Sequence, residues 1–440
     1  MPLQSTLCFG PCDAPLGQRT AQFVGLLGVI VLCGGFALGT GLVNTGLGLL
    51  LVALLMRLPE LWPTLRREPF FWLVVVLIAY LALESLWLSR SYGSAAVDAG
   101  RGFKHLLAIS GLTTLAVAAG LAGDFRRVAL ALLLTVASLL VAIALHTGPG
   151  DLRSYLAGAR ATFGLSNNGP GVYMSVAVIG LVCLGPYAIA RLPRQLHLAR
   201  WGAWGLLIAA IAVLCIAVVF NQSRSSWLAA VIVLPIVLLL LAHRWLRALA
   251  PPLRRRILGT AVIVGLPILG LVGYLGADIV QQRLADERDT IATITKLELD
   301  QLKPTSIGTR VYLWRAASEL AAQRPLLGWG PGTARMLIEQ IPQIHSYPHF
   351  HNLYLQVLVE TGVVGLALVA AVIVALVQAA RRSRQADLIP WEMGLFLAGS
   401  GAFFLIASLA QIRHDDSHGM AFIAIVTGLA YTRWLHRRIA

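Results

Sequence analysis

Between Ser306 and Gly365 three segments mark the plan of the chain: GTRVYLWRAA (Gly308–Ala317), RPLLGWGPGT (Arg324–Thr333) and HNLYLQVLVETGVVG (His351–Gly365). A long polar loop collects Arg310, a Gly-Pro turn and His351, then enters an apolar helix. A histidine with a polar neighbour, Asn352, at the mouth of such a helix, behind arginines in an otherwise greasy chain, points to chemistry on an anionic substrate at a membrane surface.

Outward from that loop, hydrophobic residues make up 58% of the 440 and charged residues 12%, against roughly a quarter charged in a soluble domain. Apolar runs near the roughly 18 residues needed to cross a bilayer recur along the whole chain, and none shows the alternation of a barrel strand. The fold class is therefore an all-α polytopic membrane protein. A formal charge of +15 raises nucleic-acid binding, but the basic residues punctuate the spans, so the bilayer is the partner and nucleic acid is not. The five cysteines, Cys8, Cys12, Cys33, Cys183 and Cys215, lie in the N-terminal tail or within apolar runs and outline no disulfide framework. The tail holds one basic residue, Arg19, and no small-residue cleavage site follows it, so the first apolar run reads as an uncleaved span.

Twelve spans are expected, at about 21–38, 42–56, 70–88, 104–122, 128–146, 168–189, 202–219, 226–242, 257–275, 352–379, 392–410 and 419–433. An even number puts both termini on one side. The short links on that side carry LRRE (Leu65–Glu68), DFRR (Asp124–Arg127), LRRR (Leu253–Arg256) and RRSR (Arg381–Arg384), and the C-terminal tail is RWLHRRIA (Arg433–Ala440). The positive-inside rule makes this side cytoplasmic. The opposite, exported side receives the long loop 276–351 between spans nine and ten. A loop of that length is functional or carries structure of its own. Ala277–Leu302 reads as an amphipathic helix, Val311–Gln323 as a second helix, and Pro325 with Gly328, Gly330, Pro331 and Gly332 as a tight turn. Without repeats or low-complexity tracts, 1–440 reads as one integral membrane domain.

The candidate residues gather at the exported rim. Arg224, in FNQSRSSWLAA (Phe220–Ala230), sits at the hydrocarbon edge between two spans, where an arginine costs energy unless it snorkels or pairs. Its guanidinium offers a planar fork to phosphate oxygens. Arg310, with Trp314 on the same face, is either a second phosphate clamp or a cation packed on that ring; Arg315 and Arg324 are weaker candidates of the same kind. His351 is the side chain best suited to take a proton from a hydroxyl near neutral pH, or else an interfacial cap; His345 and His349 are nearby alternatives. Lys104 with Arg101, and Asn167 with Asn168, contact phosphate or sugar, or anchor the interface and cap a helix. RHDDSH (Arg413–His418) is either a solvated hairpin, a metal pair through His414 and His418, or a place where Asp415 or Asp416 orients a catalytic histidine. No nucleotide-binding, nucleophile-elbow or zinc-protease motif is present in the sequence.

The order Arg310-x3-Trp314, then Pro325-Leu-Leu-Gly-Trp-Gly-Pro-Gly332, then His351-Asn-x2-Leu-x4-Glu360-x-Gly362-x2-Gly365, in the large exported loop of a twelve-span protein, resembles the O-antigen ligase/polymerase superfamily, with the ligase branch the best match. The resemblance implies transfer of a glycan from an undecaprenyl-pyrophosphate carrier to the lipid A-core oligosaccharide, at the periplasmic face of a Gram-negative inner membrane. It implies inversion at the anomeric carbon without metal or other cofactor. It carries a catalytic role onto His351 and essential roles onto Arg224 and Arg310. A glycosyl pyrophosphate brings its own activated leaving group, so two arginines and a histidine suffice, and no second carboxylate is needed. Three rivals stay open: a polymerase that extends one carrier-linked glycan with another, a protein O-oligosaccharyltransferase, and a transporter. The last would show charges near mid-span. Here they gather at the rim.

Overall fold

The computed structural model describes residues 16–92, 107–122, 125–166, 169–193, 195–247, 288–296, 305–414 and 416–439, with isolated positions between 270 and 285. Regular structure among the described residues is helical throughout. In chain order the helices are α1 (Leu16–Gly34), α2 (Thr40–Leu65), α3 (Pro69–Tyr92), α4 (Leu112–Leu121), α5 (Phe125–Leu145), α6 (Pro149–Leu156), α7 (Gly169–Ala190), α8 (His197–Asn221) and α9 (Arg224–Arg247). They continue with α10 (Arg288–Thr295), α11 (Ser306–Gln323), α12 (Ala334–Glu339), α13 (Leu353–Gln385), α14 (Trp391–Ala407) and α15 (Ser417–Ile439).

Among the described residues, eight helices are long and apolar enough to cross a membrane: α1, α2, α3, α5, α7, α8, α9 and α13. The shorter apolar helices α4 and α14, and α15 with its basic last turn, stand where three further spans were expected. The ninth expected span, 257–275, lies almost wholly outside the described residues, as do Cys8, Cys12, Arg101, Lys104, Asn167, Asn168 and Asp415. Span 104–122 is interrupted within its described part, where residues 107–109 are helical and the chain then breaks at Ser110 and Gly111. Gly111 takes φ 82 and α4 starts only at Leu112, with almost every residue of this short helix buried.

A single apolar core joins the membrane helices, through residues such as Leu32, Leu50, Leu77, Leu115, Ile179 and Phe403. Small residues let the first helices approach closely: a Cβ on Gly46 of α2 would stand 2.5 Å from the Leu32 nitrogen of α1. Lipid gives helices no hydrophobic reason to associate, so such backbone contact does the work instead. At the end where the basic links gather, buried Glu68 accepts from Trp434 Nε1 at 3.0 Å and pairs with Arg438 at 3.1 Å, tying the α2–α3 corner to the end of α15.

The opposite end carries a second, smaller core. Leu313 and Ala317 of α11, Ile338 of α12, Ile344 and Phe350 of the following loop, and Val359 of α13 bury one another there. α11 begins at Ser306 rather than near Val311, because Thr305 caps it with its hydroxyl accepting from Gly308 N at 3.2 Å. Arg310 therefore lies inside the helix instead of opening it. Of the expected helix Ala277–Leu302, the described portion includes α10.

Candidate functional site

The turn RPLLGWGPGT is inserted into the helix that follows His351. Gly362, within α13, takes φ 62 and ψ −170, which breaks the helical ladder. In an unbroken helix Val363 N and Val364 N would bond to the carbonyls of Val359 and Glu360. Here Val363 N donates to Pro325 O at 2.8 Å and Val364 N to Leu326 O at 3.2 Å. The abandoned carbonyls of Val359 and Glu360 accept instead from Trp329 N at 2.9 Å and Gly330 N at 2.7 Å. Tyr80 of α3 completes the exchange, its hydroxyl donating to Thr361 O at 2.7 Å. These five released backbone groups thus all find new partners, as buried groups must.

The glycines of the two segments are explained by this clasp. A Cβ on Gly362 would strike the Leu326 carbonyl, and one on Gly328, itself at φ 77, would stand 2.6 Å from Gly362 N. Only glycine fits where two backbones meet in the left-handed region. Buried Glu360 reinforces the joint from within, its Oε1 accepting from Gln356 Nε2 and, at 3.4 Å, from Ala334 N at the start of α12. Arg324 closes the outer side, its guanidinium 4.1 Å from the Trp329 ring centroid and 5.7 Å from that of Trp87.

At the head of the same helix, Asn352 is the cap: its Oδ1 accepts from Tyr354 N at 3.0 Å and Leu355 N at 3.1 Å. His351 precedes it directly and takes φ 54, an uncommon conformation for a non-glycine residue. Strain of that kind persists where the surroundings impose it. The His351 amide donates to His349 Nδ1 at 3.3 Å, and the two rings meet edge to face with centroids 4.2 Å apart. Leu353 N donates to Ser408 O at 3.0 Å and Tyr354 Oη to Leu405 O at 2.8 Å, pinning this end of α13 to the end of α14.

Arg224 is the first residue of α9, and the link before it is anchored by a residue that sequence reasoning passed over. Fully buried Asn221 accepts from Gly171 N at 3.0 Å through Oδ1 and donates from Nδ2 to Ala161 O at 2.8 Å. Its own carbonyl takes the Arg160 Nε hydrogen at 2.8 Å, and Gln222 Nε2 donates to Gly158 O at 2.9 Å. Arg160 and Arg413 are two further guanidinium groups on this face. Buried Arg413 donates from Nη1 to Ser166 Oγ at 2.9 Å and lies 3.4 Å from Asp416 Oδ2. Asp416 is engaged there and by Gly419 N at 2.7 Å, so it holds Arg413 and caps the start of α15.

Hydrogen bonds therefore run from the Arg224 link through Asn221 to α7, from Ser166 beside α7 to Arg413, and from Ser408 to the helix head beside His351. Arg310 joins the face through the packing of α11 on α13; its Nη1 donates to Ser306 Oγ at 2.8 Å and to Ser306 O at 3.2 Å. Arg315 points elsewhere, into a solvent-exposed pair with Glu319 at 3.1 Å. Such exposed pairs contribute little to stability.

The helices and this clasped face define a polytopic membrane protein whose polar groups cluster on one rim. Residues 208–370, which hold Arg224, Arg310, the clasp and His351, match the family model described as O-antigen ligase. The chain is also 32% identical over 120 residues to the exopolysaccharide production protein ExoQ of Rhizobium meliloti (strain 1021), an alignment covering 25% of this chain and 27% of that protein. Both findings support a place in the O-antigen ligase/polymerase superfamily.

Proposed function

We propose that the chain is a membrane glycosyltransferase that moves an O-antigen glycan from undecaprenyl pyrophosphate to the lipid A-core oligosaccharide, at the periplasmic face of the bacterial inner membrane. The observation that carries the reading is the placement of its three candidates. Arg224 starts α9, Arg310 lies in the second turn of α11 and His351 immediately precedes the cap of α13. Helix N-termini present unsatisfied N–H groups and a positive dipole end, so a cation there is stable chiefly when an anion joins it. A pyrophosphate is such an anion.

On this reading Arg224 and Arg310 hold the pyrophosphate and take up the charge that develops as the glycosidic C–O bond breaks. His351 accepts the proton of the acceptor hydroxyl, which attacks the anomeric carbon from the opposite face and inverts it. The proton passes to the imidazole and the electron pair of the broken bond to the leaving pyrophosphate, so no metal or other cofactor enters the scheme. Both termini and the basic links are then cytoplasmic.

The ExoQ relative, whose name ties it to exopolysaccharide production, favours a second reading in which the acceptor is another carrier-linked glycan and the product a longer polymer. One assay separates the two. Purified protein is given carrier-linked glycan with either lipid A-core or a second carrier-linked glycan. Glycan on lipid A-core, lost in His351→Ala and indifferent to chelator, supports the ligase. Extension of the carrier-linked chain makes it a polymerase, and transfer to neither removes both readings.

A further inference from the structure

A cavity of about 910 Å³ lies between α4, α13, α14 and α15, at the top of the roughly 300–1,000 Å³ range of small-ligand sites. Its walls are aliphatic, with Val369, Ile373 and Leu376 of α13, Leu397 of α14 and Val426 of α15 among them. The chemistry changes at one end, where Arg381 and Arg384 of α13 and Trp391 of α14 form the lining. A third guanidinium, Arg244, stands 4.9 Å from the Trp391 ring centroid. Arg384 is paired with Asp387 at 2.7 Å, but that carboxylate is 89% exposed, so water screens the pair and a phosphate can displace it at little cost. Exposed Arg381 forms no ion pair among the described residues.

That end is remote from His351. Past the Gly362 kink, α13 from Val363 to Arg384 alone rises roughly 32 Å at 1.5 Å per residue, enough to cross the roughly 30 Å hydrocarbon core of a bilayer. A head group held by Arg381 and Arg384 therefore sits at the opposite membrane face from the clasped rim, beyond reach of the groups discussed above. Aliphatic walls beneath a cluster of arginines at the interface fit a molecule with an anionic head and hydrocarbon chains, and basic pockets between helices at the positively charged face have this specificity.

We propose that this cavity binds an acidic phospholipid from the leaflet at the basic end, its phosphate on Arg381 and Arg384 and its acyl chains between α13, α14 and α15. The lipid fills the space that separates these helices and so braces the lower part of α13. The proposal does not depend on the glycosyltransferase reading, because Arg381, Arg384 and Trp391, which would hold the head group, lie at the basic end, while the other end of the cavity reaches Leu353, Tyr354 and His414 at the rim.

The test is thermal unfolding of the purified full chain in neutral-detergent micelles supplemented with phosphatidylglycerol, phosphatidylcholine or undecaprenyl phosphate. Phosphatidylglycerol is expected to raise the midpoint by about 2–4 °C above phosphatidylcholine, the size expected of a ligand that binds only the folded state. Arg381→Gln with Arg384→Gln should abolish the difference, and the corresponding double lysine variant should keep most of it. Ile373→Trp, which fills the cavity and leaves the arginines in place, should also abolish it. Equal shifts with both phospholipids, or an undiminished phosphatidylglycerol effect in the glutamine and tryptophan variants, would overturn the proposal. So would a shift with undecaprenyl phosphate alone that Ile373→Trp removes, since the cavity would then belong to a polyprenyl chain.

Discussion

Two polar segments meet at the rim of the bundle and differ in how their polar groups are satisfied. In the clasp of Pro325–Gly330 on α13, the carbonyls and amides displaced by the Gly362 kink have partners, supplied by the inserted turn and by Tyr80. In the link between α14 and α15, Gln411 is 1% exposed and neither of its amide atoms is bonded among the described residues, where Arg413 Nε and His418 Nε2 are likewise buried without partners. Each such atom costs about 1–3 kcal/mol. The clasp is a rigid frame made by backbone, whereas the link stores hydrogen-bonding capacity in side chains. A structure that fixes one loop so completely and leaves the next with unmet donors and acceptors separates shape from adaptability on a single face.

That contrast can be broken most severely at Gly362. Gly362→Ala places a methyl group against the Leu326 carbonyl at a positive φ, and should cost about 3 kcal/mol or more. The outcome to look for is loss of monodisperse protein on extraction, or a large fall in the unfolding midpoint; a variant as stable as the parent would mean that the kink is not required. His351→Ala should leave that midpoint close to wild type while lowering transfer by about a hundredfold or more, the usual contribution of a general base. A matching loss of stability would reassign His351 to the frame. Tyr80→Phe removes the hydroxyl that donates to Thr361 O and also meets Glu84 and Gly365, so the midpoint should fall by an amount corresponding to about 1 kcal/mol or somewhat more. No change would show that Thr361 O finds water instead.

The smallest effect is expected in the link. Gln411→Met keeps the volume and deletes an unbonded amide, which should leave stability unchanged or raise it by up to about 1 kcal/mol. A clear loss would show that the amide has a partner after all, and the contrast between the two segments would collapse. The comparison also bears on what a sequence can disclose. The clasp was visible in advance as a Gly-Pro turn followed by a histidine-led helix, because glycine spacing is a local signal. Its geometry was not, since the Tyr80–Thr361 bond joins residues 281 apart. The buried anchor Asn221 bonds Gly171, 50 residues away, and Arg413 reaches Ser166 across 247. Hydropathy laid out the membrane helices well, for burial in lipid needs only composition and length. It does not show the break before α4, where Gly111 at positive φ interrupts the helix inside a continuous apolar run.

One dimension of α13 has a consequence for what can be joined at this rim. Beyond the Gly362 kink the helix runs from Val363 to Gln385, roughly 34 Å at 1.5 Å per residue, enough by itself to cross the roughly 30 Å hydrocarbon core, and the part before the kink stands beyond it. If its basic end lies in one head-group layer, its head stands in or above the other. On the glycosyltransferase reading, the bond to be made is then held at a fixed altitude over the acyl chains. A carrier with its pyrophosphate at the membrane surface arrives at that altitude without leaving the bilayer. An acceptor anchored in the same leaflet must be tall enough to meet it, so the architecture selects partners by stature before any sugar is recognised.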